Sequence, residues 1–133
     1  MNLKLLNGIE IVGDIDFRGN CPHESAEQIT FFNQLPEHLK KIATHIRNEG
    51  KRTAQQTQRH KIEGMNTGAS DIIIPCCPPF VIELKRQDHT KSTISKEQVE
   101  YLKECQKQGA IVCVSLGWKN AINFITKTID NRK

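Results

Sequence analysis

A glutamate and a lysine interrupt one of the most apolar stretches of this sequence. The run Phe80-Val-Ile-Glu83-Leu-Lys85 has the β-branched and aromatic composition of a strand. Charged groups are rarely buried without a partner. Side chains alternate along a strand, so Glu83 and Lys85 share one face with Val81, roughly 6–7 Å apart. Ile82 and Leu84 share the other face. Asp71 opens a second short apolar run, Asp71-Ile-Ile-Ile-Pro75. If the two runs pair through the Cys76-Cys-Pro-Pro79 turn, Asp71 reaches the same end of the sheet as Glu83. Two carboxylates, a backbone carbonyl and waters form a hard oxygen donor set suited to Mg²⁺ or Mn²⁺. Such a cation acidifies its bound water and stabilises charge on a phosphoryl oxygen, and a lysine beside it can orient or deprotonate the attacking water. The plainer reading is a salt bridge, or a charge pair that protects an edge strand from aggregation. The E-x-K pattern alone favours that plainer reading. Asp71, twelve residues earlier and behind a glycine loop, reverses the preference.

The rest of the composition narrows the field. The chain of 133 residues is long enough for one domain with a real core, and its apolar and charged fractions are ordinary, which excludes a disordered tail. No apolar run approaches a membrane span. The opening residues are too polar for a signal peptide, with Asp14 and Asp16 interrupting them. Five cysteines, an odd number without C-x-x-C spacing, suggest neither a disulfide framework nor a zinc site, and they fit a reducing, cytosolic setting. The five histidines lack H-x-x-x-H spacing and are read as non-ligands. The net charge of +4 is unevenly spread: residues 1–38 hold six acids and two bases, whereas residues 40–61 hold seven bases and one acid. The basic block suits phosphate contacts and equally a solvated surface.

Several elements must position these groups. Residues 8–20 alternate in polarity between glycines and read as a hairpin or an irregular N-terminal arm. From about Glu24 to His38 the pattern is helical, with Phe31, Phe32 and Leu35 on the face of Glu24 and Gln28, and Pro36 falls near its end. Residues 42–46 read as a short strand and 54–63 as a polar helix. Gly64 to Ser70 is a loop, Asp71–Pro75 and Phe80–Arg86 are strands, antiparallel to one another. Ser95 and Gln98 form a capping box, with Ile94 and Val99 as its hydrophobic staple. The helix that follows buries Val99, Leu102 and Cys105 and stops at Gly109. Residues 111–116 make a third core strand and Trp118–Ile129 a last amphipathic helix. This order gives an α/β or α+β layered domain, a small mixed β-sheet flanked by helices.

The stretches GASDIIIP, FVIELK and SKEQVEYLKECQKQGAIVCVSLGW are similar to the PD-(D/E)xK nuclease superfamily. More closely, the chain resembles the VRR-NUC (virus-type replication-repair nuclease) family in its small stand-alone phage and bacterial form. The family's E-x3-Q is matched by Glu24 and Gln28, its N-E-G-x-R loop by Asn48 to Arg52, and its G-x2-D turn by Gly68 to Asp71. Its E-x-K is matched by Glu83 and Lys85, and its Q-x3-L helix by Gln98 and Leu102, followed by a strand of the G-x-x-V type. The resemblance covers roughly residues 24–129 and leaves 1–20 as an arm outside the nuclease domain, assigned to 21–133. Ser70 stands where members often carry the proline of the superfamily's name.

The resemblance implies a restriction-endonuclease-like core and a Mg²⁺- or Mn²⁺-dependent endonuclease of DNA. Asp71, Glu83 and the Leu84 carbonyl would hold the metal, Lys85 would position the water, and Glu24 would complete the acidic cluster. Glu27, one helical turn on, competes for that last place; Glu24 is favoured because it lies nearer the centre of the face bearing Phe31 and Leu35. Gln98 either points back toward the site or only closes its capping box. His45, Asn48, Lys51 and Arg52 are the expected DNA contacts. A homodimer acting on branched DNA, such as a four-way junction, is the implied form, cytoplasmic in a bacterium or a phage-infected host. The rival readings are a general or restriction-type nuclease and a catalytically silent DNA-binding module on the same fold.

Overall fold

In the computed structural model, which describes residues 1–47, 53–66 and 68–132, the interrupted strand lies at the centre of a sheet. The described strands are β1 (Ile11–Val12), β2 (Thr44–His45), β3 (Ile72–Ile74), β4 (Phe80–Lys85) and β5 (Ile111–Leu116). Their order is β1-β5-β4-β3-β2. The helices are α1 (Glu24–Gln34), α2 (Glu37–Lys40), α3 (Ala54–Ile62), α4 (Lys96–Lys107) and α5 (Trp118–Asp130). β4 and β5 run parallel through the α4 crossover, β3 lies antiparallel to β4, and β2 antiparallel to β3. This is the mixed sheet flanked by helices that the sequence pattern implies.

Alternation along β4 sorts the core into two layers. Phe80, Ile82 and Leu84 join Ile72, Ile74 and Cys113 on one face, covered by Phe31, Leu35 and Leu39 and by Ala121 and Ile125 of α5. Val81, Val112 and Val114 occupy the other face under Val99 and Leu102 of α4. Glu83 and Lys85 therefore point to the α4 side. Each fully buried aliphatic or aromatic side chain contributes roughly 1.5–3 kcal/mol, so both layers are strongly specified, and with them the face on which the charges sit.

Two elements differ from the sequence reading, each for a physical reason. The helix expected over 24–38 is two helices. Leu35 is extended (φ −63°, ψ 138°) because the residue before a proline avoids the α region, and α2 restarts after Pro36. Residues 8–20 do not form a hairpin. Ile11–Val12 pairs parallel with β5 instead, and Leu6 and Ile9 pack in the α4-side core, so the arm is built into the sheet. Gly13 ends β1 at a φ of +125°, where a Cβ would sit 2.8 Å from the Leu116 Cβ; only glycine permits that turn. The polar helix α3 buries none of its residues and is held by a capping box between Thr53 and Gln56, a signal available in the sequence. No described helix is long and apolar enough to cross a membrane.

Candidate active site

Asp71 enters the site from the position immediately before β3. Its backbone carbonyl accepts from the Ile46 N–H at 2.7 Å and lies 3.0 Å from the His45 Nδ1, which ties β2 to this corner. Its carboxylate Oδ2 accepts from the Leu84 N–H at 3.1 Å. The loop before it is pressed onto α4: a Cβ on Gly68 would collide with the Glu97 carbonyl oxygen and lie 2.7 Å from its carbon. The glycine of the G-x2-D turn is needed for that close approach.

Glu83 is 0 % exposed and Lys85 4 %. The Lys85 ammonium is 3.4 Å from Glu83 Oε1, and the same oxygen accepts from Gln98 Nε2 at 3.2 Å. Glu83 Oε2 is buried without a hydrogen-bond partner among the described residues. Burial pushes the Glu83 carboxyl well above the usual carboxylate range, the negative charge of Asp71 raises it further, and Lys85 opposes both. The glutamate is thus buried, crowded by a second carboxylate and satisfied on one side only.

Gln98 makes both contacts considered for it, each with a different atom. Its backbone N–H donates to Ser95 Oγ at 3.1 Å, its side-chain oxygen accepts from the Ser95 N–H at 2.8 Å, and its side-chain nitrogen faces Glu83. The capping box orients the amide so that its free end reaches the site.

Glu24 and Glu27 part company. Glu24, the first residue of α1, lines a cleft of about 680 Å³ together with Asp71, Leu84, His45, Arg47 and Gln28. Its Oε1 accepts from Ser92 Oγ at 2.8 Å. Glu27 is 1 % exposed and faces away, toward Gln87 and the Trp118 backbone N–H that opens α5. Burial raises its carboxyl, while Gln87 and Trp118 lower it. Gly117 is required there, since at its φ of +93° a Cβ would come within 3.0 Å of Glu27 Oε2.

Asp71 and Glu83 stand together, and Glu24 lines the same cleft as Asp71; no group of three or more His, Cys, Asp or Glu converges as a metal cluster among the described residues. The donor set Asp71, Glu83 and the Leu84 carbonyl still fits a hard divalent cation in chemistry, and the orphaned Glu83 Oε2 is an acceptor in want of a positive partner. His45 lines the cleft, with Arg47 beside it. Asn48, Lys51 and Arg52 lie outside the described residues. Ser92 was missed by sequence reasoning, because a serine in the polar stretch 87–93 carries no periodic or motif signal.

No known protein-family profile matches the sequence, and no curated protein matches it. Among solved structures, the fold is similar to that of a VRR_NUC domain protein, with a TM-score of 0.68 and 21 % sequence identity over 86 % of this chain and 92 % of that one. At this identity the likeness is one of fold, and the fold is that of a VRR-NUC domain.

Proposed function

We propose that this chain is a metal-dependent endonuclease that hydrolyses the phosphodiesters of DNA. The observation that carries the reading is the buried Glu83, whose Oε1 takes both Lys85 and Gln98, whose Oε2 meets no hydrogen-bond donor among the described residues, and whose carboxyl is raised further by the neighbouring Asp71 carboxylate. A cluster built for stability would satisfy both oxygens, since an unsatisfied buried polar group costs about 1–3 kcal/mol. The similarity to a VRR_NUC domain protein supports the same reading.

Asp71, Glu83 and the Leu84 carbonyl are the groups that would hold Mg²⁺ or Mn²⁺. When bound, the cation would acidify water and offset the charge gathered on a phosphoryl oxygen. The chain's own groups supply the rest. Lys85 commits one of its three N–H donors to Glu83 and has others to orient a water toward phosphorus. Gln98 holds the Glu83 carboxylate in one orientation through its amide nitrogen. Glu24 lines the same cleft as Asp71 and Leu84. Arg47 and His45, with Lys51, Arg52 and Asn48 of the same basic block, are the groups for the DNA backbone, where cationic contacts dominate affinity.

The finer form we favour is a homodimer selective for branched DNA, in the cytoplasm of a bacterium or a phage-infected host, serving replication, recombination or repair. The test is a cleavage panel of linear, nicked, flapped and four-way DNA with Mg²⁺, Mn²⁺ or EDTA, beside Asp71→Asn. Metal-dependent cleavage lost in Asp71→Asn supports the reading, and preference for the four-way substrate supports its finer form. Binding without cleavage under every metal would instead favour a silent DNA-binding module.

A further inference from the structure

The segment that leaves the E-x-K strand turns back onto the start of α1. Ser92 is 5 % exposed and stands between the end of β4 and Glu24. Its Oγ accepts from the Arg86 backbone N–H at 3.1 Å and donates to Glu24 Oε1 at 2.8 Å. A hydroxyl has one proton and a backbone N–H can only donate. The serine proton is therefore directed at the glutamate, and its orientation is fixed by the strand.

Among the described residues, α1 has no side-chain cap of its own. The residue that caps α1, His23, makes no side-chain capping bond. The approach to the helix is tied instead to the segment after Lys85. The Arg86 guanidinium donates from Nε to the Pro22 carbonyl at 3.0 Å and from Nη2 to the Cys21 carbonyl at 2.8 Å. Asp88 Oδ2 accepts from the Gly19 N–H at 3.0 Å, and Lys91 Nζ donates to the Gly19 carbonyl at 2.8 Å. Residues 86–92 thus grip residues 19–24 along their length, and the last bond of the series reaches the Glu24 carboxylate itself.

We propose that Ser92 is a positioning residue, whose hydroxyl holds the Glu24 carboxylate at the wall of the cleft shared with Asp71 and Leu84. Arg86 and Asp88 seat the backbone, and Ser92 sets the side chain. The proposal rests on the reading of Glu24 as part of the nuclease site. It adds how a loop without motif character registers the first helix against the metal-binding edge.

The test compares Ser92→Ala and Ser92→Thr with wild type in two ways: crystal structures of the metal-free proteins, and single-turnover cleavage of DNA with Mg²⁺. Asp71→Asn serves as the control for the nuclease reading. In Ser92→Ala the Glu24 carboxylate should leave its position, and the cleavage rate should fall by about ten- to a hundredfold with little change in KM. Ser92→Thr, which keeps the hydroxyl, should restore both. Should Ser92→Ala not fold, Ser92→Cys takes its place, because a thiol is a weak donor. An unmoved Glu24 overturns the proposal, and so does an unchanged rate in a protein that Asp71→Asn silences. If wild type cleaves no DNA, the nuclease reading fails, and the crystal structures still decide whether Ser92 positions Glu24.

Discussion

Removing the charge of Asp71 separates a functional cluster from a structural one. In the metal-free protein, burial and then the Asp71 charge raise the Glu83 carboxyl well above its ordinary 4.5, while Lys85 pulls it down. A carboxyl raised on folding binds its proton more tightly in the folded chain. Its contribution is therefore fully present below the unfolded value, near 4.5, and is lost as pH rises from there through the folded value. The loss is at most about 1.4 kcal/mol per pH unit. Asp71→Asn removes the second-largest cause of that shift and keeps a carbonyl oxygen to accept from the Leu84 N–H. The loss of stability above this pH should become shallower. Exchanging a charge-assisted hydrogen bond for a neutral one costs about 1 kcal/mol, and relief of repulsion between two carboxylates returns at least as much. At neutral pH the variant should be as stable as wild type or more so. A chain of this length shifts its Tm by roughly 3–6 °C per kcal/mol, so the assay is a series of thermal melts in EDTA from about pH 5 to pH 8, beside cleavage. Cleavage should be abolished. A variant that melts about 10 °C or more below wild type, with the pH slope unchanged, would mean that the carboxylates are a structural pair, and the reasoning from Glu83 would be wrong.

Other outcomes follow from the same geometry. Glu24→Gln should slow cleavage strongly, by about a hundredfold, while Glu27→Gln leaves the rate near wild type, because Glu27 faces Gln87 and α5; equal losses in a matched rate assay would contradict this division. Mg²⁺ at a hundredfold over its Kd should stabilise wild type by about 2.7 kcal/mol and Asp71→Asn far less, read as the difference in Tm with and without metal. Alanine at Arg47, Lys51 and Arg52 together should flatten the dependence of DNA affinity on salt by roughly 0.9 per lost phosphate contact; an unaltered slope in binding titrations would turn the basic block away from the DNA. Gln98→Glu keeps an oxygen for the Ser95 N–H and so preserves the capping box, but sets an acceptor against Glu83. It should cut cleavage while leaving helix content by circular dichroism unchanged, and full activity would reduce Gln98 to a cap.

The sequence disclosed those parts of the fold that have a period. The alternation of Phe80 to Lys85 separated the two core layers and put Glu83 and Lys85 on one face, and Ser95 with Gln98 marked the start of α4. What it could not disclose were contacts made across the chain by groups with no period. Ser92 meets Glu24 from a distance of 68 residues, and nothing in a polar stretch announces such a partner. Of the two forms read for residues 8–20, a hairpin or an irregular arm, the hairpin is not formed, for a related reason. A two-residue strand pairing in parallel with the far edge of the sheet looks locally the same as half of a hairpin. By helix face, Glu24 is favoured as nearer the centre of the face bearing Phe31 and Leu35, but the residue buried with Phe31 is Glu27. Glu24 lines the cleft because it opens the helix, and the packing of α5 against α1 decides which of the two is covered.

Gln98 shows why an equal choice between a structural and a functional role can be a false one. A primary amide has an acceptor at one end and donors at the other, so a capping box that fixes the oxygen also fixes the direction of the nitrogen. In this chain that direction is toward Glu83 Oε1, which Lys85 shares. Both partners converge on one oxygen and leave Oε2 buried without a hydrogen-bond partner among the described residues. A second donor on that side would stabilise the empty protein, since unpaired buried acceptors are costly. Its absence among the described residues leaves the charge incompletely answered beside Asp71, which with Leu84 lines the cleft. On the proposed reading, the strand gives the charged pair a dry, rigid support, and a cation would complete the unmet half of Glu83.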